Sequence, residues 1–182
     1  MDDKQIQEVL DHYPELTYDL SRSLFFGRVD AGHNDFYELE VDVSVFPRRF
    51  PLVKEVGERI PRKADRHIYH DSGAICFTTQ GKEDILLKKT IRSLSVFFEM
   101  ILLPFLQNNS YFEINGAYLQ GDYSHGAQGV IEAYQDILGI AQIYRICEVM
   151  LARIKGRKLR PNGLCYCGSG RKIKKCGDHY ER

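Results

Sequence analysis

Potential metal ligands are concentrated near the C-terminus of this chain and constrain how that segment can fold. Four such residues fall within a stretch of 15 positions: Cys165, Cys167, Cys176 and His179. A segment this short cannot bury enough apolar surface to fold alone, so a bound metal would supply its folding free energy. Three thiolates and one imidazole suit tetrahedral zinc, and four protein ligands leave no open position for catalysis. The sequence therefore predicts one structural zinc ion.

Charge divides the chain into two parts. Residues 151–182 contain ten Lys or Arg and two acidic residues, whereas residues 1–150 contain 15 basic and 23 acidic residues. The net charge of zero is thus the sum of an acidic body and a basic tail, which predicts two functional units. The predicted boundaries are a body over residues 1–154, a basic linker over 155–163 and the zinc-binding tail over 164–182.

The remaining sequence features predict a cytoplasmic protein that does not enter a membrane. Cys76 and Cys147 are isolated, so the chain carries no disulfide framework of the kind found in oxidising compartments. The opening stretch MDDKQIQEVL is acidic and polar, unlike a secretion signal. The longest apolar run, residues 96–106, is too short to cross a bilayer and is interrupted by Glu99 and Pro104.

Hydrophobic periodicity predicts an α+β body. A spacing of three to four residues between apolar positions indicates helices, and strict alternation indicates strands. The predicted helices cover residues 4–26, 83–107 and 127–154, and the predicted strands cover 24–30 and 36–46. Three prolines in FPRRFPLVKEVGERIPR, residues 46–62, favour an extended segment bounded by turns.

Two motifs in the body resemble those of ubiquitin-conjugating (UBC) enzymes. The stretch FPRRFPLV at residues 46–53 resembles the Tyr-Pro-x-x-Pro-Pro-x-Val element of that family, and GAICF at residues 73–77 matches its Gly-x-Ile-Cys-Leu element in order and spacing. The resemblance covers about residues 5–110. It implies a UBC-like fold, with an N-terminal helix, an antiparallel β-meander and C-terminal helices. It also implies that Cys76 carries an acyl group as a thioester.

One short motif of the UBC family is missing from this chain. Its His-Pro-Asn tripeptide is absent, and Arg66-His67-Ile68 takes its place. The asparagine that would stabilise the oxyanion is therefore missing, and His67 or His70 is predicted to donate that hydrogen bond or to polarise the attacking group. His125, in a glycine-bounded polar loop, is either a general base for Cys76 or part of a helix cap in which Ser124 is the N-cap residue.

The tail resembles a second known module. The run CYCGSG at residues 165–170 resembles the SEC-C motif, a tail module of the preprotein translocase ATPase SecA and of many bacterial proteins. A divergent UBC domain followed by this motif resembles the conjugating-enzyme-like proteins of bacterial antiphage (CBASS-type) signalling. That resemblance implies a transferase that forms a thioester with the C-terminus of a cGAS-like nucleotidyltransferase and promotes its attachment to a target.

Other interpretations remain open from the sequence. The missing asparagine favours a catalytically inactive UBC-like domain that binds proteins, with the zinc tail as a docking element. The basic tail also suits a nucleic-acid-binding zinc protein, although only Tyr166 and Tyr180 are available there for base stacking. Cys76 itself is either a nucleophile or a small buried hydrophobe, and Cys147 is predicted to be a core residue of its helix.

Overall fold

A computed structural model describes residues 2–119, 126–158 and 160–176. The described residues of Met1–Asp122 form one compact unit, and those of Tyr123–Arg182 form a second. The α+β class predicted from periodicity is confirmed, because the first unit contains a four-stranded antiparallel sheet with helices before and after it. Among the described residues, no helix combines the length and the apolar character needed to cross a membrane.

The first unit is a helix, an antiparallel meander and a second set of helices. The sheet order follows the sequence, β1-β2-β3-β4. Bounds of the first elements are α1 Asp3–His12, β1 Leu16–Asp19, β2 Leu24–Asp30, β3 Phe36–Asp42 and β4 Leu52–Glu55. The later helices are α2 Gln80–Lys89, α3 Leu94–Phe97 and α4 Leu103–Asn115, with a π-helical turn Phe98–Leu102 between α3 and α4.

Alternation along β3 builds the hydrophobic core. Tyr37, Leu39 and Val41 point to one face and are fully buried, as the alternating pattern predicts. Phe97 and Phe98 of the following helices are also fully buried and belong to the same core. The sheet is therefore covered by helices on this face.

The predicted helix over residues 4–26 is wrong beyond His12. Pro14 lacks a backbone donor and cannot continue a helix, and Leu16 instead begins β1, paired with Gly27 of β2. Leu20, counted as part of the helical stripe, is 76% exposed at the turn that follows β1. Strand pairing therefore overrides the apparent helical spacing here.

Two other long predicted helices are each divided. The 83–107 prediction spans α2 and the helices that begin at Leu94, because the Ser93 hydroxyl caps a new helix by accepting from the Val96 amide at 3.3 Å. Pro104 neither ends nor breaks its helix. It lies in the first turn of α4, directly after the π-helical turn.

The second unit contains two helices in place of the predicted helix over 127–154. These are α5 Gly126–Leu138 and α6 Ile143–Ile154, separated at Gly139, whose φ of +62° ends α5 in a left-handed conformation. The prediction that Cys147 is a core residue is also wrong, because its side chain is exposed. The neighbouring Ile146 is the buried residue of α6.

An ion-pair network joins the sheet to α4. The Arg59 guanidinium contacts a carboxylate oxygen of Asp35 at 2.5 Å and one of Glu113 at 2.7 Å, and it lies 4.0 Å from the centre of the Tyr37 ring. Burial by itself would raise the pKa of Asp35. Hydrogen bonding from Ser110 and the Arg59 charge outweigh it and hold that pKa below its usual value.

Gly27 and Gly116 provide a test of how closely β1 and β2 approach. A Cβ at Gly27 would lie 2.2 Å from the Glu15 carbonyl oxygen, whereas one at Gly116 would have no neighbour within 4 Å. We expect Gly27→Ala to lower the free energy of unfolding by about 3 kcal/mol or more, since backbone strain and a clash add together. Gly116→Ala should cost about 1 kcal/mol, from its left-handed backbone alone.

Denaturant unfolding followed by circular dichroism measures both losses. Equal losses in the two variants would contradict the close approach of β1 to β2.

Candidate functional site

A short hairpin that follows β4 carries the candidate nucleophile. Ile68 and Ile75 face each other across it as an isolated antiparallel bridge. Beyond that pair, the Tyr69 amide donates to the Ala74 carbonyl at 2.9 Å. Gly73 closes the tip, since its amide donates to the Tyr69 carbonyl at 2.8 Å and its φ of +68° is one that glycine adopts without steric cost.

Main-chain hydrogen bonds fix this hairpin to the sheet. The Ile75 amide donates to the Val53 carbonyl of β4 at 2.8 Å. One residue later, the Cys76 amide donates to the His67 carbonyl at 2.7 Å. The backbone of Cys76 is therefore held from both sides, by the edge of the sheet and by the opposite strand of the hairpin.

Residues on either side of Cys76 pack into the core. Ile75 is 7% exposed, and the ring of Phe77 meets those of Phe97 and Phe105 edge-on, with centroids 5.5 and 5.3 Å apart. Cys76 lies between them and is only partly buried. Because faces alternate along a strand, its side chain belongs to the other face from those of Ile75 and Phe77.

Tyr69 contacts the sulfur of Cys76, a contact that sequence reasoning missed. The Tyr69 hydroxyl donates to Cys76 Sγ at 3.3 Å, while the residue as a whole remains 57% exposed. The hydrogen bond to Cys76, the charge of its thiolate and partial burial raise the pKa of Tyr69 above its usual value. The phenol is therefore neutral at neutral pH and remains a donor.

The predicted histidines have different relations to the thiol. His67 lies opposite Cys76 through the main-chain hydrogen bond, has a left-handed φ of 54°, and places its ring 6.0 Å from that of Tyr118. His70 lies at the tip of the hairpin, where its side chain is 88% exposed and Nδ1 is 3.5 Å from Asp71 Oδ1. His125 lies outside the described residues.

Two buried hydroxyls follow the thiol in sequence. Cys76 Sγ lies 4.0 Å from the Thr78 carbonyl oxygen. Within the described residues, Oγ1 of Thr78 and Oγ1 of Thr79 are buried without a hydrogen-bond partner. A buried polar group left unsatisfied costs about 1–3 kcal/mol. Unused hydrogen-bonding capacity therefore lies two and three residues after the candidate nucleophile in the sequence.

Glu83 anchors α2 next to this hairpin. Its carboxylate accepts hydrogen bonds from Arg49 Nε at 2.7 Å and from the Phe50 amide at 2.8 Å, and the residue is only 7% exposed. The bond to Arg49 is charge-assisted, and such bonds are among the strongest in proteins. The segment before β4 and the helix after Cys76 are thereby held together.

A second candidate site lies in the tail. The Sγ atoms of Cys165, Cys167 and Cys176 all lie within 4.8 Å of one another, close enough to bind one metal ion. The fourth predicted ligand, His179, lies outside the described residues. Burial above all raises the pKa of the Cys165 thiol to about 11, so a cation would be needed to hold this sulfur as a thiolate at neutral pH.

The backbone around these cysteines has the form of a tight knuckle. Leu164 and Lys172 form an antiparallel bridge, and the Cys165 amide donates to the Arg171 carbonyl at 2.7 Å. Gly168 and Gly170 have φ values of +80° and +73°, as expected for glycines that let the chain turn back between ligands.

The hydrophobic cluster of this segment is small. Its buried members are Cys165, Ile173 and Cys176. Two of these three are candidate metal ligands, so apolar burial contributes little to the stability of the knuckle.

Comparison with known proteins gives no match for this chain. No protein-family profile, no curated protein and no solved structure matches it.

The cysteine cluster predicts a metal content that can be measured. We expect the purified protein to carry one metal ion per chain by elemental analysis, and Cys176→Ser to carry much less, because the cluster loses one of its three thiolate ligands. Cys147→Ser is the matched control, since this exposed cysteine lies in the same unit outside the cluster. A Cys176→Ser protein that keeps its full metal content would rule out the cluster as the binding site.

Proposed function

We propose that this chain is a ubiquitin-conjugating-enzyme-like acyl carrier that acts through a thioester on Cys76. The observation that carries the proposal is a partly exposed thiol at the base of a hairpin on the sheet edge, contacted by a hydroxyl donor. The acyl group would be the C-terminus of a partner protein, a cGAS-like nucleotidyltransferase, and the setting would be antiphage signalling.

The order of elements supports this proposal. An N-terminal helix precedes an antiparallel meander, a cysteine-bearing hairpin follows the last strand, and helices complete the unit. The UBC resemblance implies the same order. The two motifs behind that resemblance also adjoin each other, because Val53 of the first accepts a hydrogen bond from Ile75 of the second.

The proposed chemistry needs few groups. The Cys76 thiolate attacks the carbonyl carbon of an activated acyl donor, such as an acyl adenylate or another thioester, and the leaving group of the donor departs. An amine then attacks the thioester and releases the thiolate. A donor for the tetrahedral oxyanion is required in both steps.

His67 is the better placed of the two candidate oxyanion donors in this proposal. It lies directly across the hairpin from Cys76, whereas His70 lies at the exposed tip beside Asp71. His67 would take the place of the missing asparagine.

We also propose that the metal in the tail is zinc, held by the three cysteines and His179. The observed Sγ–Sγ distance of 3.6 Å between Cys167 and Cys176 supports this. Sulfurs at two corners of a tetrahedron with Zn–S bonds of about 2.3 Å are about 3.8 Å apart. With four ligands the ion would be structural and the tail a docking module.

Thiol sensitivity of an adduct tests the proposed carrier. We expect co-expression with a cGAS-like nucleotidyltransferase to give an adduct that reductant removes on gels. Cys76→Ser should convert it into an oxyester that resists thiols and is cleaved by alkali, because serine oxygen replaces sulfur in the same acyl bond.

Cys147→Ser is the matched control and should form the reductant-sensitive adduct normally. If neither wild type nor Cys76→Ser forms an adduct while the two proteins still co-purify, the chain is a UBC-like binding module and not a transferase.

A further inference from the structure

We propose that Tyr69 is a catalytic residue whose hydroxyl stabilises the thiolate of Cys76 as it attacks an acyl donor and as it leaves a thioester. The inference rests on the proposed acyl transfer through Cys76, and it adds a residue that neither the motif resemblance nor the histidine hypotheses include. Its basis is the direct contact between the phenol and the reacting atom, with Tyr69 Oη donating to Cys76 Sγ at 3.3 Å.

The hairpin pairing explains why the phenol reaches the sulfur. Ile68 and Ile75 are directly opposite each other, and both point into the core. Tyr69 and Cys76 each follow one of these residues in sequence, so both belong to the other face and occupy diagonal positions across the hairpin. Diagonal neighbours in antiparallel pairs are within reach of an aromatic side chain. The contact therefore follows from the fold of the hairpin.

The surrounding groups keep Tyr69 in the form that can donate. The hydrogen bond to Cys76 and the charge of its thiolate raise the pKa of Tyr69, and the Glu83 carboxylate adds to this effect. Arg49 is paired with Glu83 by a 2.7 Å contact. The main-chain carbonyl of His67 accepts a hydrogen bond from the Cys76 amide. The phenol therefore keeps its proton at neutral pH.

The Tyr69 hydroxyl contacts the sulfur of Cys76, so its hydrogen bond stabilises the thiolate and not the carbonyl oxygen of the acyl group. In the second step, the amine nitrogen forms a bond to the thioester carbon, the carbon–sulfur bond breaks, and its electron pair returns to Sγ. The amine proton passes to solvent water. A hydrogen bond from a neutral phenol to the thiolate is charge-assisted and stronger than the same bond to a thiol or thioester sulfur. Tyr69 thus favours departure of sulfur without itself transferring a proton.

Alkylation of Cys76 across a pH series tests this inference without any acyl donor. Iodoacetamide reacts with the thiolate, so the site-resolved rate from mass spectrometry reports how much thiolate is present at each pH. We expect Tyr69→Phe to shift the Cys76 profile toward higher pH and to lower its alkylation rate at neutral pH about tenfold. An unchanged Cys76 profile in Tyr69→Phe would overturn the inference.

Two controls make the result specific to this pair. Cys147, which is exposed in the second unit, serves as an internal reference and should react equally in both proteins. Tyr144→Phe is the matched variant, because the exposed fraction of Tyr144, 60%, is close to the 57% of Tyr69. Tyr144 lies in the second unit, whereas Tyr69 and Cys76 lie in the first. Its Cys76 profile should be that of the wild type.

A reciprocal measurement compares wild type with Cys76→Ala and uses Tyr69→Phe only to assign the tyrosine that changes. Because the thiolate opposes ionisation of the phenol, Cys76→Ala should lower the pH at which one tyrosine ionises, followed by phenolate absorbance. The Cys76→Ala change should vanish in a Tyr69→Phe background. Identical phenolate titrations of wild type and Cys76→Ala would show that the two groups do not interact and would overturn the inference.

Failure of the proposed function gives a different pattern of results. If no adduct forms but the alkylation profile still shifts in Tyr69→Phe, the phenol stabilises the thiolate and the acyl-transfer proposal is wrong. If the adduct forms but the profile is unchanged, acyl transfer stands and Tyr69 has no part in it.

Discussion

The hydrogen bond between the Ile75 amide and the Val53 carbonyl determines where the candidate nucleophile lies. It adds the hairpin to the edge of a sheet whose order otherwise ends at β4. Burial of Ile68 and Ile75 on the core side contributes about 1.5–3 kcal/mol for each side chain. Since faces alternate along the strand, the same packing turns Cys76 outward. The exposure of the thiol is thus a consequence of core formation.

The segment around the hairpin has little regular secondary structure, and buried polar side chains hold its backbone in place. Between residues 56 and 79 the chain forms one helical or strand element, the short 3₁₀ turn Ala64–Arg66. Arg66 is 7% exposed, and its guanidinium donates to Asn109 Oδ1 at 2.8 Å and lies 4.3 Å from the centre of the Phe112 ring. Glu83 serves the segment before β4 in the same way by accepting from the Phe50 amide. A few such bonds order the irregular backbone because each satisfies a group that burial would otherwise leave unpaired.

Sequence patterns predicted the features that depend on residues close together along the chain. Alternation gave the core positions of β3, and the spacing of Cys165, Cys167 and Cys176 gave a cluster whose sulfurs do lie together. The four-residue strand β1 was missed because its apolar residues fit a helical spacing. Its pairing with β2 is a contact between two segments, which the periodicity of one segment does not report. Cys147 was misplaced because apolar spacing on α6 does not tell which side of the helix is covered, and Ile143 beside it is 52% exposed. Tyr69 was missed because its partner is set by pairing across a turn.

The hairpin also limits how this chain can vary. Six residues separate Tyr69 from Cys76, and the turn within them is closed by Gly73. Substitutions at the exposed positions His70 and Asp71 leave the pairing intact. An insertion or deletion of a single residue would change the register by one and exchange the faces, sending an isoleucine to solvent and the thiol inward. Related chains that keep the phenol–thiol contact are therefore expected to conserve the length of this loop more strictly than its composition.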